Sequence, residues 1–172
     1  MNLDSEGQVD VMTETAGSSN VMVIERYFDA PVEVIWQLWT NPDHFRAWYG
    51  PDGAVIPVAK MDVRVGGARL VCMQVDTPGG PMQMWFAGEY REVVDYERLV
   101  YTEFISDEHG QASHTADHPT TEVRVELEDV GGRTKLTLTH VGIPQDSPGA
   151  SGWMMALDKL SARVATVEDQ SD

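Results

Sequence analysis

Two periodicities divide this chain. Through its middle, apolar and polar residues alternate with the period of two that gives a strand one apolar face. Near its end, Gly152 to Val167 (GWMMALDKLSARVATV) is the one long stretch with helical spacing. There Trp153, Leu157, Leu160 and Val164 recur at steps of four, three and four, and Asp158, Lys159, Ser161 and Arg163 fall mostly opposite. Ser151, or Ser147 with Pro148, supplies a start signal, because a serine oxygen accepts amide protons that a first helical turn leaves unbonded.

Upstream, Val21 to Phe28 reads as a first strand. Asp29-Ala30-Pro31 stops it, with Asp29 as the expected cap and Pro31 in the first turn of a helix carrying Val32, Ile35, Trp36 and Trp39. Thr40-Asn41-Pro42 breaks that helix and opens a second short one around His44 and Phe45, and Gly50-Pro51-Asp52-Gly53 is a turn. Strands are then predicted over Val55 to Val63, Ala68 to Val75, Met82 to Val93, Arg98 to Ile105, Thr121 to Leu127 and Arg133 to Val141. Pro57 suggests that the first of these lies at an edge or starts late. In the last, His140 shares the inward parity of Leu136 and Leu138. The order is strand, two short helices, about six strands, long helix: an α+β domain whose antiparallel sheet curves around the last helix. Such a sheet and the apolar face of the helix can enclose a cavity.

The 172 residues suit one domain. We expect polar tails at 1–20 and 168–172 around a folded body at 21–167. Lys plus Arg is 12 against 28 Asp plus Glu, a net charge of −16. That charge disfavours nucleic acid and anionic membranes as partners, and serves solubility. No apolar run approaches the length that spans a bilayer, and no signal peptide is visible. The single cysteine, Cys72, has no disulfide partner, so a reducing, cytoplasmic location is expected.

Five stretches carry a resemblance: RYFDAPVEVIWQLWTNPDHFRAWYGP at Arg26 to Pro51, VGGARLV at Val65 to Val71, GEYREVVDYERLVYT at Gly88 to Thr102, TKLTLTHVG at Thr134 to Gly142, and GWMMALDKLSARV at Gly152 to Val164. In this order and spacing they resemble the AHSA-type branch (activator of heat-shock protein ATPase homologue-like) of the START and birch-pollen-allergen-like helix-grip superfamily. The resemblance implies a helix-grip fold: six or seven strands wrapped around a long C-terminal helix. It also implies relatives that bind lipids, hormones or polyketides. Eukaryotic activators carry a separate N-terminal domain, and the roughly twenty residues before Val21 are too few for one.

The candidate cavity walls are Trp36, Trp39, Trp48, Met84, Phe86, Trp153 and Leu157, with Tyr49 in the same aromatic set. His140 is the best polar anchor, able to bind a ligand oxygen or act as acid or base. Glu103 and Arg26 are further polar candidates in otherwise apolar strands. His109, His114 and His118, with Asp107, Glu108 and Asp117, lie in a polar loop that fixes no metal geometry, so a solvated loop is expected and no metal or cofactor. Cys72 has no base beside it and reads as a small buried hydrophobe. There is no phosphate loop and no nucleophile elbow.

The expectation is binding of a small, largely apolar molecule between sheet and last helix. The alternatives are a cyclase, hydratase or hydrolase using His140 with Glu103 or a tyrosine, and a co-chaperone-like interaction module binding a chaperone or a second copy through a sheet edge or exposed aromatics such as Trp48 and Tyr49. A homodimer is compatible with all three.

Overall fold

The computed structural model describes residues 20–112 and 119–171, with side chains described up to residue 166. Its elements are β1 (Val21–Phe28), α1 (Val32–Thr40), α2 (Pro42–Phe45), β2 (Val55–Met61), β3 (Ala68–Thr77), β4 (Gly80–Val94), β5 (Arg98–Ser106), β6 (Thr121–Val130), β7 (Arg133–Val141) and α3 (Pro148–Ser171). The strands form one antiparallel sheet in the order β1-β7-β6-β5-β4-β3-β2. Successive strands from β2 to β7 are neighbours. β1 alone is displaced, because α1 and α2 carry the chain from one sheet edge to the other.

Local chemistry sets the helix boundaries. Asp29 does not cap α1; Pro31 occupies the cap position, and its carbonyl takes the amides of Val34 and Ile35. The Asp29 carboxylate instead accepts from Arg133 Nε at 2.8 Å, since the β6–β7 hairpin brings that guanidinium beside the end of β1. A charged partner outcompetes a neutral amide for a carboxylate. Asn41 does cap α2, accepting from the Asp43 amide at 3.0 Å, with Pro42 in the first turn. α3 starts earlier than its apolar periodicity: Ser147 Oγ accepts from the Ala150 amide at 3.2 Å, and Pro148 opens the helix.

The inner face of the sheet follows strand parity. Met22, Ile24 and Phe28 of β1 pair with His140, Leu138 and Thr134 of β7, and Leu136 lies in the same inward row, all buried. Val123, Val125 and Leu127 continue the row on β6, then Leu99 and Tyr101 on β5 and Tyr90 on β4. Trp153, Ala156, Leu157, Leu160 and Val164 of α3 pack into this concave face. Burying one such large apolar side chain is worth about 1.5–3 kcal/mol, so the row and the helix together hold the two layers.

The bend lies between β4 and β5, where the register shifts between Tyr90 and Glu92. At that point Gly88 lies so close to β5 that a Cβ on it would sit 1.8 Å from the Thr102 carbonyl oxygen. The close approach lets Thr102 Oγ1 accept from the Glu89 amide at 3.1 Å. Among the described residues, no helix is long and apolar enough to cross a membrane.

Two glycine substitutions should move stability in opposite directions. Gly88→Ala forces β4 and β5 apart, and a loss of about 2 kcal/mol or more is expected in urea unfolding. Gly152→Ala, in a helix with nothing within 4 Å of the new methyl, should gain about 0.5–1 kcal/mol. Equal midpoints for the two variants would contradict this account of the bend.

Candidate functional site

The space between α3 and the sheet is filled under the later turns of the helix and hollow under its first ones. Leu157, Leu160 and Val164 fill the later part. An aromatic block joins them: the Trp39 ring stacks on Trp153 with centroids 5.8 Å apart, Trp48 meets Trp39 edge-on at 4.7 Å, and Phe45 stacks on Tyr49 at 4.6 Å. Trp48 Nε1 donates to the Leu38 carbonyl at 2.7 Å, which ties the end of α2 to α1.

Under Pro148 to Ala156 lies a cavity of about 580 Å³. Met73, Met84 and Phe86 form its sheet wall, Gly152, Trp153 and Met155 its helix wall, and Gly50, Pro51 and Ile143 its loops. The lining is mostly apolar, with Tyr49, Glu103 and His140 as its titratable groups. A smaller cavity of about 190 Å³ shares Phe86, Glu103 and Ile143 with it, so Glu103 stands where the two meet. Lys159 closes the loop side, donating through Nζ to the carbonyls of Tyr49 at 3.4 Å and Pro51 at 3.0 Å.

The polar groups form two linked sets. Trp153 Nε1 donates to His140 Nδ1 at 3.0 Å, which assigns the imidazole proton to Nε2, and Nε2 meets Thr121 Oγ1 at 2.8 Å. The Thr121 hydroxyl in turn donates to the Glu103 main-chain carbonyl at 3.3 Å. Both ring nitrogens of His140 are therefore engaged. Burial holds its pKa below the ordinary histidine value, with Glu103 pulling the other way and the Arg69 charge adding to the lowering. The ring is a neutral, fixed brace.

The second set centres on the Glu103 carboxylate. Its Oε2 accepts from Arg69 Nη1 at 3.3 Å and from the Tyr49 hydroxyl at 3.5 Å. Arg69 is 1 % exposed, with its guanidinium 4.0 Å from the centre of the Tyr101 ring and 5.2 Å from that of Phe45. Burial first, then the Glu103 charge, pushes the Tyr49 phenol well above its usual range, so it keeps the proton it donates. Glu103 Oε1 accepts nothing from the described residues and is not among their sealed-off polar atoms.

Of the residues singled out by sequence, Met84, Phe86, Glu103, His140 and Trp153 come together around the cavity. Trp36, Trp39, Trp48 and Leu157 pack in the core instead and do not line it. Trp36 meets Tyr96 edge-on at 6.1 Å, away from the cavity residues. Arg26 pairs with Asp158 at 2.9 Å on the flank of α3. Trp48 and Tyr49 are 0 % and 8 % exposed, so they offer no exposed aromatic docking surface. Cys72 is fully buried on the opposite face of β3 from Val71 and Met73.

His114, His118 and Asp117 lie outside the described residues. Among the described ones, His109 is exposed beside Glu108, and Asp107 Oδ1 accepts from the amides of His109 and Gln111. No group of three metal-ligating side chains occurs among the described residues. Sequence reasoning passed over Arg69. Its parity with Val71 and Met73 was the available signal, because a guanidinium on an inward strand position needs a buried partner.

A curved antiparallel sheet gripping one long helix defines a helix-grip domain. The family model described as "Activator of Hsp90 ATPase homolog 1-like protein" matches residues 29–165, and the chain belongs to that family. A crystal structure of a protein from Chromobacterium violaceum is 28 % identical, covering 84 % of this chain and 96 % of that one with a TM-score of 0.71. The AHSA1 protein from Silicibacter pomeroyi shares the fold at 21 % identity, 85 % and 98 % coverage and TM-score 0.67. A Nitrosomonas europaea protein does so at 20 %, 89 % and 98 %, and 0.72. No curated protein matches the chain.

The neutral brace makes stability depend on pH with a definite sign. Below about pH 6.5 the unfolded chain protonates its histidines while folded His140 resists, so unfolding is favoured as pH falls. His44, held low by burial and Arg163, adds in the same direction. Urea midpoints should therefore drop between about pH 7.5 and 5.5, above the carboxylate range. In His140→Gln, which keeps an acceptor for Trp153 and a donor for Thr121, the drop should be shallower. An identical drop in the variant would refute the brace.

Proposed function

We propose that this protein binds a small, largely apolar molecule in the cavity beneath the first turns of α3. The observation that carries the reading is the cavity itself: about 580 Å³, mostly apolar, with few polar groups converging at one place. Binding sites for small molecules commonly span ~300–1,000 Å³ with such a lining. Three methionines, Met73, Met84 and Met155, give walls that adapt to ligand shape. The cavity is complete within one chain, so a homodimer is compatible with binding and not required for it. The same proposal puts the protein in the cytoplasm, supported by a single, buried cysteine.

Catalysis on the bound molecule is the weaker reading. His140 has no ring nitrogen to offer a substrate, and among the described residues Glu103 is the one carboxylate on the cavity wall. A general base must reach the proton it removes, and an acid-base pair needs two such groups.

Truncating Trp153 would test the proposal poorly, because its ring also holds Trp39 and His140. Gly152 is the better position. It lines the cavity, it is helical, and a Cβ there meets nothing within 4 Å. Gly152→Phe should fill the hollow and leave folding intact. The neutral fluorophore N-phenyl-1-naphthylamine should bind the native protein and lose about tenfold or more in affinity for the variant. A folded Gly152→Phe protein that binds the probe equally well would overturn the proposal.

A further inference from the structure

From the unshared oxygen of Glu103 we infer that the ligand of this cavity carries a neutral hydrogen-bond donor, a hydroxyl on an otherwise apolar body. The inference rests on the binding function proposed above and assigns the chemistry of its polar contact. The polar groups on the wall differ in what they can still accept or donate. His140 is used up: Nδ1 takes the Trp153 proton, and Nε2 gives its own to Thr121. The Tyr49 hydroxyl has spent its proton on Glu103 Oε2. What remains is Oε1 of Glu103, a carboxylate oxygen with two lone pairs on a side chain 8 % exposed.

Such an oxygen accepts and does not donate while Glu103 is ionised. Arg69 stands against its other oxygen as the countercharge: a guanidinium does not lose its proton, and this one is buried 3.3 Å from Oε2. The wall therefore asks its ligand for a donor. A ligand carboxylate would bring lone pairs against lone pairs and add an unmatched negative charge. A ligand ammonium would satisfy the oxygen, but Arg69 has already balanced Glu103, so a second cation would be buried uncompensated among Met84, Phe86 and Trp153. A hydroxyl meets the geometry and the charge balance together.

Two isomers test this without a change in size or charge. Decan-1-ol and 1-methoxynonane have the same atoms, and only the alcohol has an O–H. Displacement of N-phenyl-1-naphthylamine from the native protein should show the alcohol binding at least about tenfold more tightly, the scale expected when a buried acceptor is left unmatched. In the double variant Arg69→Met with Glu103→Leu, which removes both charges of the pair, the two isomers should bind alike. Equal binding to the native protein would overturn the donor assignment while leaving the cavity's function standing. Preference for the alcohol that persists in the double variant would overturn the role of Glu103. Tighter binding of protonated decylamine than of decan-1-ol would overturn the neutral head group. Failure of the fluorophore and both isomers to bind at all would instead sink the binding function itself.

Discussion

The packed and the hollow parts of this domain meet at one indole. Trp153 stacks on Trp39 with one face, forms a wall of the cavity, and gives its N–H to His140. A single amphipathic helix cannot fill the concavity of a seven-stranded sheet along its whole length. Trp153 is where packing stops and hollow space begins. The large aromatics of α1 and α2, Trp36, Trp39 and Phe45, are all spent on the filled side with Trp48 just beyond them, and none lines the cavity. On the hollow side, α3 presents glycine, alanine and methionine.

The ion pair behind the cavity is costly by the usual accounting. Taking two charges out of water costs several kcal/mol per ion, which one bond at 3.3 Å does not recover in full. Nε and Nη2 of Arg69 are also buried without a partner among the described residues. The Tyr101 and Phe45 rings compensate in part through cation–π attraction. A pair of Met and Leu of similar volume would serve a purely structural role better. Retaining a carboxylate at the junction of two cavities makes physical sense where that carboxylate has something to hold.

Much of this fold was legible in the chain. Parity placed His140 inward from the alternation of Leu136 and Leu138, and the hairpin at Gly131-Gly132 fixed its register. Helical spacing found the buried face of α3. The site was less legible for a definite reason: periodicity reports which way a residue points, not how far along the element the packing extends. Trp39 and Trp153 follow the same rule, yet one is sealed in the core and the other borders the cavity. Likewise Asp29 had the sequence position of a cap, and only the sheet order, which brings Arg133 beside it, gave its carboxylate a stronger partner.

The Lys159 bridge bears on kinetics. Its two bonds tie α3 to the loop at Tyr49 and Pro51, the loop that borders the cavity. Hydrogen bonds to a charged group contribute about 1.5–3 kcal/mol each in net terms, and Lys159 is only partly buried, so its share is at the low end. Breaking the bridge is then a frequent thermal event, on the nanosecond to microsecond scale of loop motions. A guest molecule would find the doorway open often. Its dwell time would be governed by what it leaves behind inside, and the loop would act as a fast valve on exchange rather than as a lock.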